Sequence, residues 1–330
     1  MKRIAWLCCS LATLFISGIV WATPTLTIYT YASFNSSWGP GPKLTKLFES
    51  NCHCHIKWVG LDDGVTLLNR LRLERQNTKA DLIVGLDTNL MPEAEKLRLV
   101  QPHQVNTSMV RLPAHWHNSD FVPFDRGQFA FIYNRNKLKN PPTSLHQLVN
   151  SFKGTIIYED PRTSTPGLGL LLWVKSVYGD KAADAWAKLK SKTVTVTKSW
   201  GDAYGMFLKG EADMVLSYTT SPAYHEIVEH KQQYRAAFFK EGHYQQVEVA
   251  GISAYAKHPE LARAFLNFLL TPKVQYIIAM NNWMSPVIDG VKLPGAFQQI
   301  IHPKVLSISP SVVARHRQAW IREWRSAVSH

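Results

Sequence analysis

The chain contains none of the short motifs that mark the common hydrolases and nucleotide enzymes. Neither G-x-S-x-G, nor a glycine-rich phosphate loop closed by Gly-Lys, nor H-E-x-x-H occurs in its 330 residues. Ser253 sits in Gly251-Ile-Ser-Ala-Tyr, which lacks the second glycine of a nucleophile elbow. Glu159 and Asp160 are adjacent carboxylates at a strand end, expected to be solvated and not to form a catalytic pair. No catalytic residue is assigned. A dense basic block is missing too. Lysine and arginine outnumber aspartate and glutamate by 37 to 24, for a formal charge of +13, but they are scattered, which argues against a nucleic-acid partner.

Long apolar runs and cysteines are equally scarce. The main apolar run is at the start, where 1–22 reads as a secretory signal. Lys2 and Arg3 precede a largely apolar stretch, and Val20-Trp-Ala22 offers a cleavage site after Ala22. The alternative is an uncleaved anchor, but Ser10, Thr13, Ser17 and Gly18 interrupt the apolar part. No later run is long enough to cross a bilayer, so an exported, soluble chain is expected. Cleavage removes two cations, 13 − 2, leaving a charge of +11. It also removes Cys8 and Cys9. Cys52 and Cys54 remain, separated by one residue. A disulfide between them needs a bend in the chain. A metal site is the other reading of Cys52-His53-Cys54-His55, but side chains of an extended segment alternate faces and cannot readily surround one ion. The structural reading is preferred and no metal is assigned.

What remains is an alternation of strands and helices. Strand character recurs at 26–31, 55–60, 80–86, 121–125 with 128–133, 155–158, 193–197, 213–218 and 245–249. Helical patterns fill 43–50, 64–75, 168–177, 182–191, 202–209 and 259–270, and two or three helices close the chain, with Trp320 and Trp324 as packing residues. The expected class is α/β, with mainly parallel sheets covered by helices. The runs at 121–133 and 245–249 read as crossings between two lobes, 23–124 plus 250–290 and 125–249 plus 291–330.

Ligands of such sheets bind beyond the carboxyl ends of the strands. That rule selects Tyr31, Asp63, Asp87, Ser164 with Thr165, Trp200 and Tyr218. Thr163, Ser164 and Thr165 suit a helix cap and Pro166 suits a first helical position. The helix starts at Gly64 and at Thr165-Pro166-Gly167 offer free amides to an anion. The aromatic residues offer faces to flat or cationic groups, and Asp63 a carboxylate to an amine or a positive ring. A ligand that satisfies all three is flat, partly cationic, and tailed by a hydroxyl or phosphate. The plain alternatives are core packing for the aromatics and helix capping for Asp63.

Several stretches carry a further signal: Tyr29-Thr-Tyr31, Trp38-Gly-Pro-Gly-Pro42, Asp63-Gly-Val65, Gly85-Leu-Asp87, the run from Asp160 to Gly169, Val194-Thr-Val-Thr197 through Trp200 and Tyr204, Leu216 to Pro222, and Asn282-Trp-Met284. Together they resemble the periplasmic thiamine-binding proteins of bacterial ABC importers, over essentially the whole chain past the signal. The resemblance implies a type II periplasmic binding protein fold, two lobes with mainly parallel sheets flanked by helices and a ligand cleft between them. It implies thiamine, thiamine monophosphate and thiamine diphosphate as cargo, with no cofactor, and delivery to an inner-membrane permease driven by a cytoplasmic ATPase. The family's contact positions match at Asp63, Gly64, Ser164, Thr165, Trp200, Tyr218, Thr219, Thr220, Ser221 and Pro222. Tyr31, Trp38, Tyr224 and Trp283 also fall within the implied cleft. On this reading Trp200, Tyr218 and Trp283 hold the rings, while Gly64, Ser164 and Thr165 meet the tail. The rivals are a binding protein of the same fold for ferric iron or a polyamine, and a thiaminase-like enzyme with a cleft cysteine.

Overall fold

The computed structural model describes residues 23–113 and 115–329. The expected signal at 1–22, with Cys8 and Cys9, lies outside the described residues. In chain order the elements are β1 (Thr25–Tyr31), α1 (Gly41–Cys52), β2 (His55–Leu61), α2 (Gly64–Glu74), β3 (Leu82–Asp87), α3 (Met91–Lys96), β4 (Val100–Gln101), β5 (Phe121–Asn134), α4 (Leu145–Asn150), β6 (Ile156–Glu159), α5 (Thr165–Tyr178) and α6 (Ala182–Lys190). They continue with β7 (Thr193–Thr197), α7 (Trp200–Leu208), β8 (Met214–Tyr218), α8 (Ser221–Ile227), β9 (Tyr234–Ala236), β10 (His243–Ser253), α9 (Pro259–Leu269), α10 (Pro272–Asn281), β11 (Val305–Leu306) and α11 (Pro310–Ser329).

The main path through the sheet runs β2-β1-β3-β10-β5-β8-β6-β7. β1 is parallel to β2 and β3, and β6 is parallel to β7 and β8, as βα crossovers require. Two long strands join these parallel sets in antiparallel register. β10 pairs with β3 on one side and with the first half of β5 on the other. The second half of β5 pairs with β8. The sequence reads β5 as two runs broken at Arg126-Gly127, but it is one strand. Arg126 and Gly127 pair with Val247 and Gln246, and Arg126 also exchanges backbone hydrogen bonds with Ser285.

Helices cover both faces. On one, α1, α9 and α10 pack over Leu26, Ile28 and Phe124 through Leu44, Phe48, Phe265 and Ile278. Ala262, Phe265, Leu266 and Leu269 recur at helical spacing and make the inner stripe of α9. Phe265→Ala would cost about 3–5 kcal/mol, because the neighbouring rings of Phe48 and Trp58 cannot fill the void. On the other face α2, α5, α6 and α11 share a core that includes Leu68, Trp173, Trp186 and Trp324. The chain closes with a 3-10 turn, Gly295–Gln299, and the single helix α11, where the sequence suggests two or three helices. Pro294, Pro303 and Pro310 keep the intervening chain from continuing as helix. Trp324 is buried and donates its indole N–H to the Tyr158 hydroxyl at 3.2 Å. Cys52 and Cys54 form a disulfide, and His53 between them takes the left-handed backbone that ends α1 and supplies the bend.

Candidate functional site

The carboxyl ends of β2, β6, β7 and β8 each lead into a helix start, and three of these starts meet at Asp63. Its side chain accepts from the Gly64 amide at 2.7 Å, which caps α2. From the other parallel set it accepts the Ser164 hydroxyl at 2.8 Å, the Thr165 hydroxyl at 3.0 Å and the Trp200 amide at 3.4 Å. Burial raises the Asp63 pKa, and the donors of Gly64, Ser164, Thr165 and Trp200 oppose that rise. The sequence left a helix cap and a ligand contact as alternatives for this residue. It is a cap and also a clasp between the two halves. Gly64 permits the approach, because a Cβ there would lie 2.6 Å from the Gly85 carbonyl and 2.7 Å from Thr165 Cγ2. Ser164 caps α5, which begins at Thr165, so Pro166 occupies the second helical position and not the first.

Two sequence expectations about acids need correction. Glu159 is fully buried and Asp160 nearly so, not solvated. β6 is sandwiched between β7 and β8, and α5 closes over its end where Gly167 touches the Glu159 backbone. Burial, with Asp63 nearby, pushes Glu159 well above the ordinary carboxylate range, and neither of its oxygens has a hydrogen-bond partner among the described residues. Asp87 is the other case. It is a strand-end residue but closes its own turn, accepting from the Asn89 amide and side chain and from the Leu90 amide. Burial raises it to about 6.

A cavity of about 320 Å³ opens between the two strand sets, at the small end of the ~300–1,000 Å³ typical of small-molecule sites. Trp200 and Tyr204 make one wall, with rings stacked at 5.1 Å and 23°. The Trp200 indole N–H is held by Ser217 Oγ at 2.8 Å, and the Tyr204 hydroxyl by His225, itself oriented by Glu229 at 2.8 Å. Gly201 and Gly205 lie on the same face of α7, and a side chain at either would project into open space. Tyr224 and Trp283 also line the cavity, edge to face at 5.3 Å. Trp283 has a φ of 56°, uncommon for a bulky residue, and its ring lies against Phe297. Trp38, half exposed, faces Trp200 across the mouth at 6.2 Å.

The floor is polar. Tyr31 packs over Gly85, whose φ of +106° and missing Cβ make room for the ring. The Tyr31 hydroxyl donates to Glu248 Oε2 at 2.8 Å, and Gln246 donates to Glu248 Oε1 at 3.2 Å. Tyr218 donates to Gln246 at 3.0 Å. The Asn282 amide reaches the Tyr31 hydroxyl, Asp125 and Glu248. Burial and the neighbouring carboxylates push Tyr31 and Tyr218 well above their ordinary range, so both remain neutral donors.

Of the residues named from sequence, Tyr31, Trp38, Asp63, Thr165, Trp200, Tyr218, Ser221, Tyr224 and Trp283 line this one cavity. Gly64, Ser164, Thr219, Thr220 and Pro222 do not border it. Gly64 and Ser164 belong to the clasp beneath, and Thr219 is buried with its amide bonded to the Gln128 carbonyl. Sequence reading did not assign Ser33, Tyr204, Glu248, Asn282 or Met284 to the site, yet all five are at the cavity. Tyr204 was findable as the residue one helical turn past Trp200. Glu248 was findable as a charge between two valines in a strand read as a crossing between the lobes. Asn282 and Met284 were singled out only as the neighbours of Trp283 in a family-like stretch, because their loop reaches the site only through tertiary packing.

Comparison with known proteins gives three results. Residues 41–276 match the family of bacterial extracellular solute-binding proteins. The chain is 56% identical over 318 residues to the thiamine-binding periplasmic protein of Escherichia coli (strain K12), covering 96% of this chain and 97% of that protein. Among solved structures it superposes on a periplasmic thiamin binding protein with a TM-score of 0.92 at 56% identity, covering 93% of this chain and 97% of that one. A ferric binding protein from Campylobacter jejuni superposes with a TM-score of 0.77 at 20% identity, over 92% of this chain and 99% of that one, a likeness of fold alone.

Proposed function

The chain belongs to the bacterial extracellular solute-binding protein family, and from that premise we propose that it captures thiamine in the periplasm and carries it to an importer. The observation that carries the reading is the aromatic slot, one cavity lined by Trp200, Tyr204, Tyr224 and Trp283 together with the acid Glu248. Thiamine has two flat rings, one of them a permanent cation, and a hydroxyethyl tail. Stacked indole and phenol faces favour both the flatness and the charge, and a cation over such a ring gains roughly 0.5–2 kcal/mol.

The tail would lie toward the start of α5, where Thr165 borders the cavity and the donors of the clasp lie just beneath, suited to a hydroxyl or a phosphate. Thiamine monophosphate and thiamine diphosphate lengthen the same tail. Their phosphates then compete with Asp63 for Ser164 and Thr165, so their capture exchanges one anion for another at the clasp. Closure around the cargo would present a defined surface to an inner-membrane permease powered by a cytoplasmic ATPase. A carrier role, as opposed to an enzymatic one, is supported by the relatives' names. It is also supported by the cysteines, which are paired at the end of α1 and do not line the cavity.

Mass spectrometry of small molecules released from natively purified protein tests the cargo. Thiamine or its phosphates are expected, and a polyamine in their place, with no heat on thiamine titration, would reject the proposal. Incubation with thiamine and a nucleophilic amine tests the carrier role, since progressive thiamine loss would make the protein an enzyme.

A further inference from the structure

The cavity touches two carboxylates, Asp63 and Glu248. Asp63 is saturated by two amides and two hydroxyls. Glu248 is different. It stands opposite Asp125 in the antiparallel register of β10 and β5, where the two crossing strands pair at the base of the cleft. Asp125 is fully buried and Glu248 nearly so. Asp125 takes an Asn282 amide on one oxygen and leaves Oδ1 without a partner.

The groups facing the pair are Tyr31 from β1, Tyr218 from β8 through Gln246 of β10, Asn282 at the end of α10, and the more remote Asp63. Among the described residues neither carboxylate has a lysine, arginine or histidine as its ion-pair partner. Two buried acids this close cannot both ionise without a cation nearby. Burial and mutual repulsion accordingly hold Glu248 well above the ordinary carboxylate range.

We propose that Glu248, backed by Asp125, is the counter-charge that selects the cationic ring of the cargo, and that the proton shared by the two acids passes to solvent as that ring binds. This rests on the thiamine reading above and adds to it a specificity residue and a coupled proton. The sign follows from electrostatics. A positive ring beside Glu248 favours the ionised pair, so affinity rises with pH across the range in which the free pair titrates.

The test compares thiamine with a neutral isostere in which a thiophene replaces the thiazolium ring. Calorimetry in two buffers of different ionisation enthalpy should report about one proton released with thiamine and far less with the isostere. Glu248→Gln keeps the size and the Tyr31 contact. It should weaken thiamine by about 30-fold and the isostere by only about twofold, which collapses the preference for the cation. Equal losses for both ligands would make Glu248 a structural residue only and overturn the inference. So would unchanged thiamine affinity, or wild-type heats that do not depend on buffer. The buffer comparison needs no variant and decides the matter even if Glu248→Gln folds poorly. Failure of the wild-type protein to bind thiamine at all would instead remove the underlying cargo reading.

Discussion

Removal of the Asp63 carboxylate is the sharpest probe of how the two halves are joined. Asp63→Ala takes away the cap of α2 and the acceptor for Ser164, Thr165 and the Trp200 amide. Loss of the cap acts within one half and should cost about 1 kcal/mol of folding stability. The cross-contacts act on closure. A hydrogen bond to a charged group is worth about 1.5–3 kcal/mol, so two short hydroxyl bonds hold the closed form by about 3 kcal/mol at the least. The Trp200 amide at 3.4 Å adds little. If ligand binds only the closed form, a 3 kcal/mol shift toward open weakens affinity by about 100-fold. Thr165→Val removes one of the two bonds and should cost about tenfold. Titration calorimetry with thiamine gives the affinities, urea melts give the stability, and small-angle scattering of the ligand-free protein gives the opening. Wild-type affinity and an unchanged radius of gyration in Asp63→Ala would refute the clasp. A large loss of stability with no change in scattering would show that Asp63 is only a cap.

Trp200→Ala should lower thiamine affinity by about 30- to 1,000-fold, since it removes a stacking face worth roughly 1–3 kcal/mol and a cation contact. The fold should survive because the ring is only partly buried, and unchanged affinity in the titration would take Trp200 out of the site. Replacing Cys52 and Cys54 together by serine should cost only about 1–2 kcal/mol in a chemical melt, because the closed loop spans so few residues, with thiamine binding retained. His243 is fully buried, with one ring nitrogen against the Phe129 carbonyl and the other accepting from the Phe239 amide. Burial lowers its pKa to about 4, so nitrogen-detected NMR should show a neutral ring at pH 5. Since its folded pKa lies below the unfolded value of 6.5, His243 withdraws stability as pH falls from about 6.5 toward 4. A charged ring at pH 5.5 would contradict this.

Much of the site was legible because parallel βα units obey a local rule. A polar or aromatic residue that directly follows a strand lies at its carboxyl end, and the carboxyl ends of one sheet share an edge. Tyr31, Asp63, Ser164 with Thr165, Trp200 and Tyr218 were reached in that way. The same rule over-selected Asp87, whose carboxylate is consumed by the turn it closes. It also could not see that Glu159 would be buried, because the burial depends on β7 and β8 flanking β6 as well as on α5 settling over its end, and those flanking strands come much later in the chain.

The amino-acid order alone therefore settles the alternation of strands and helices around the site, most of the helix starts and the aromatic character of the slot, since each depends on residues within one or two turns of one another. Tertiary structure decides the rest. The pairing of Glu248 with Asp125, the reach of Asn282 into the floor and the meeting of Asp63 with Ser164 and Thr165 join residues from 34 to 251 positions apart. Such contacts depend on the register of the two crossing strands and the approach of the two halves, and no local pattern encodes either.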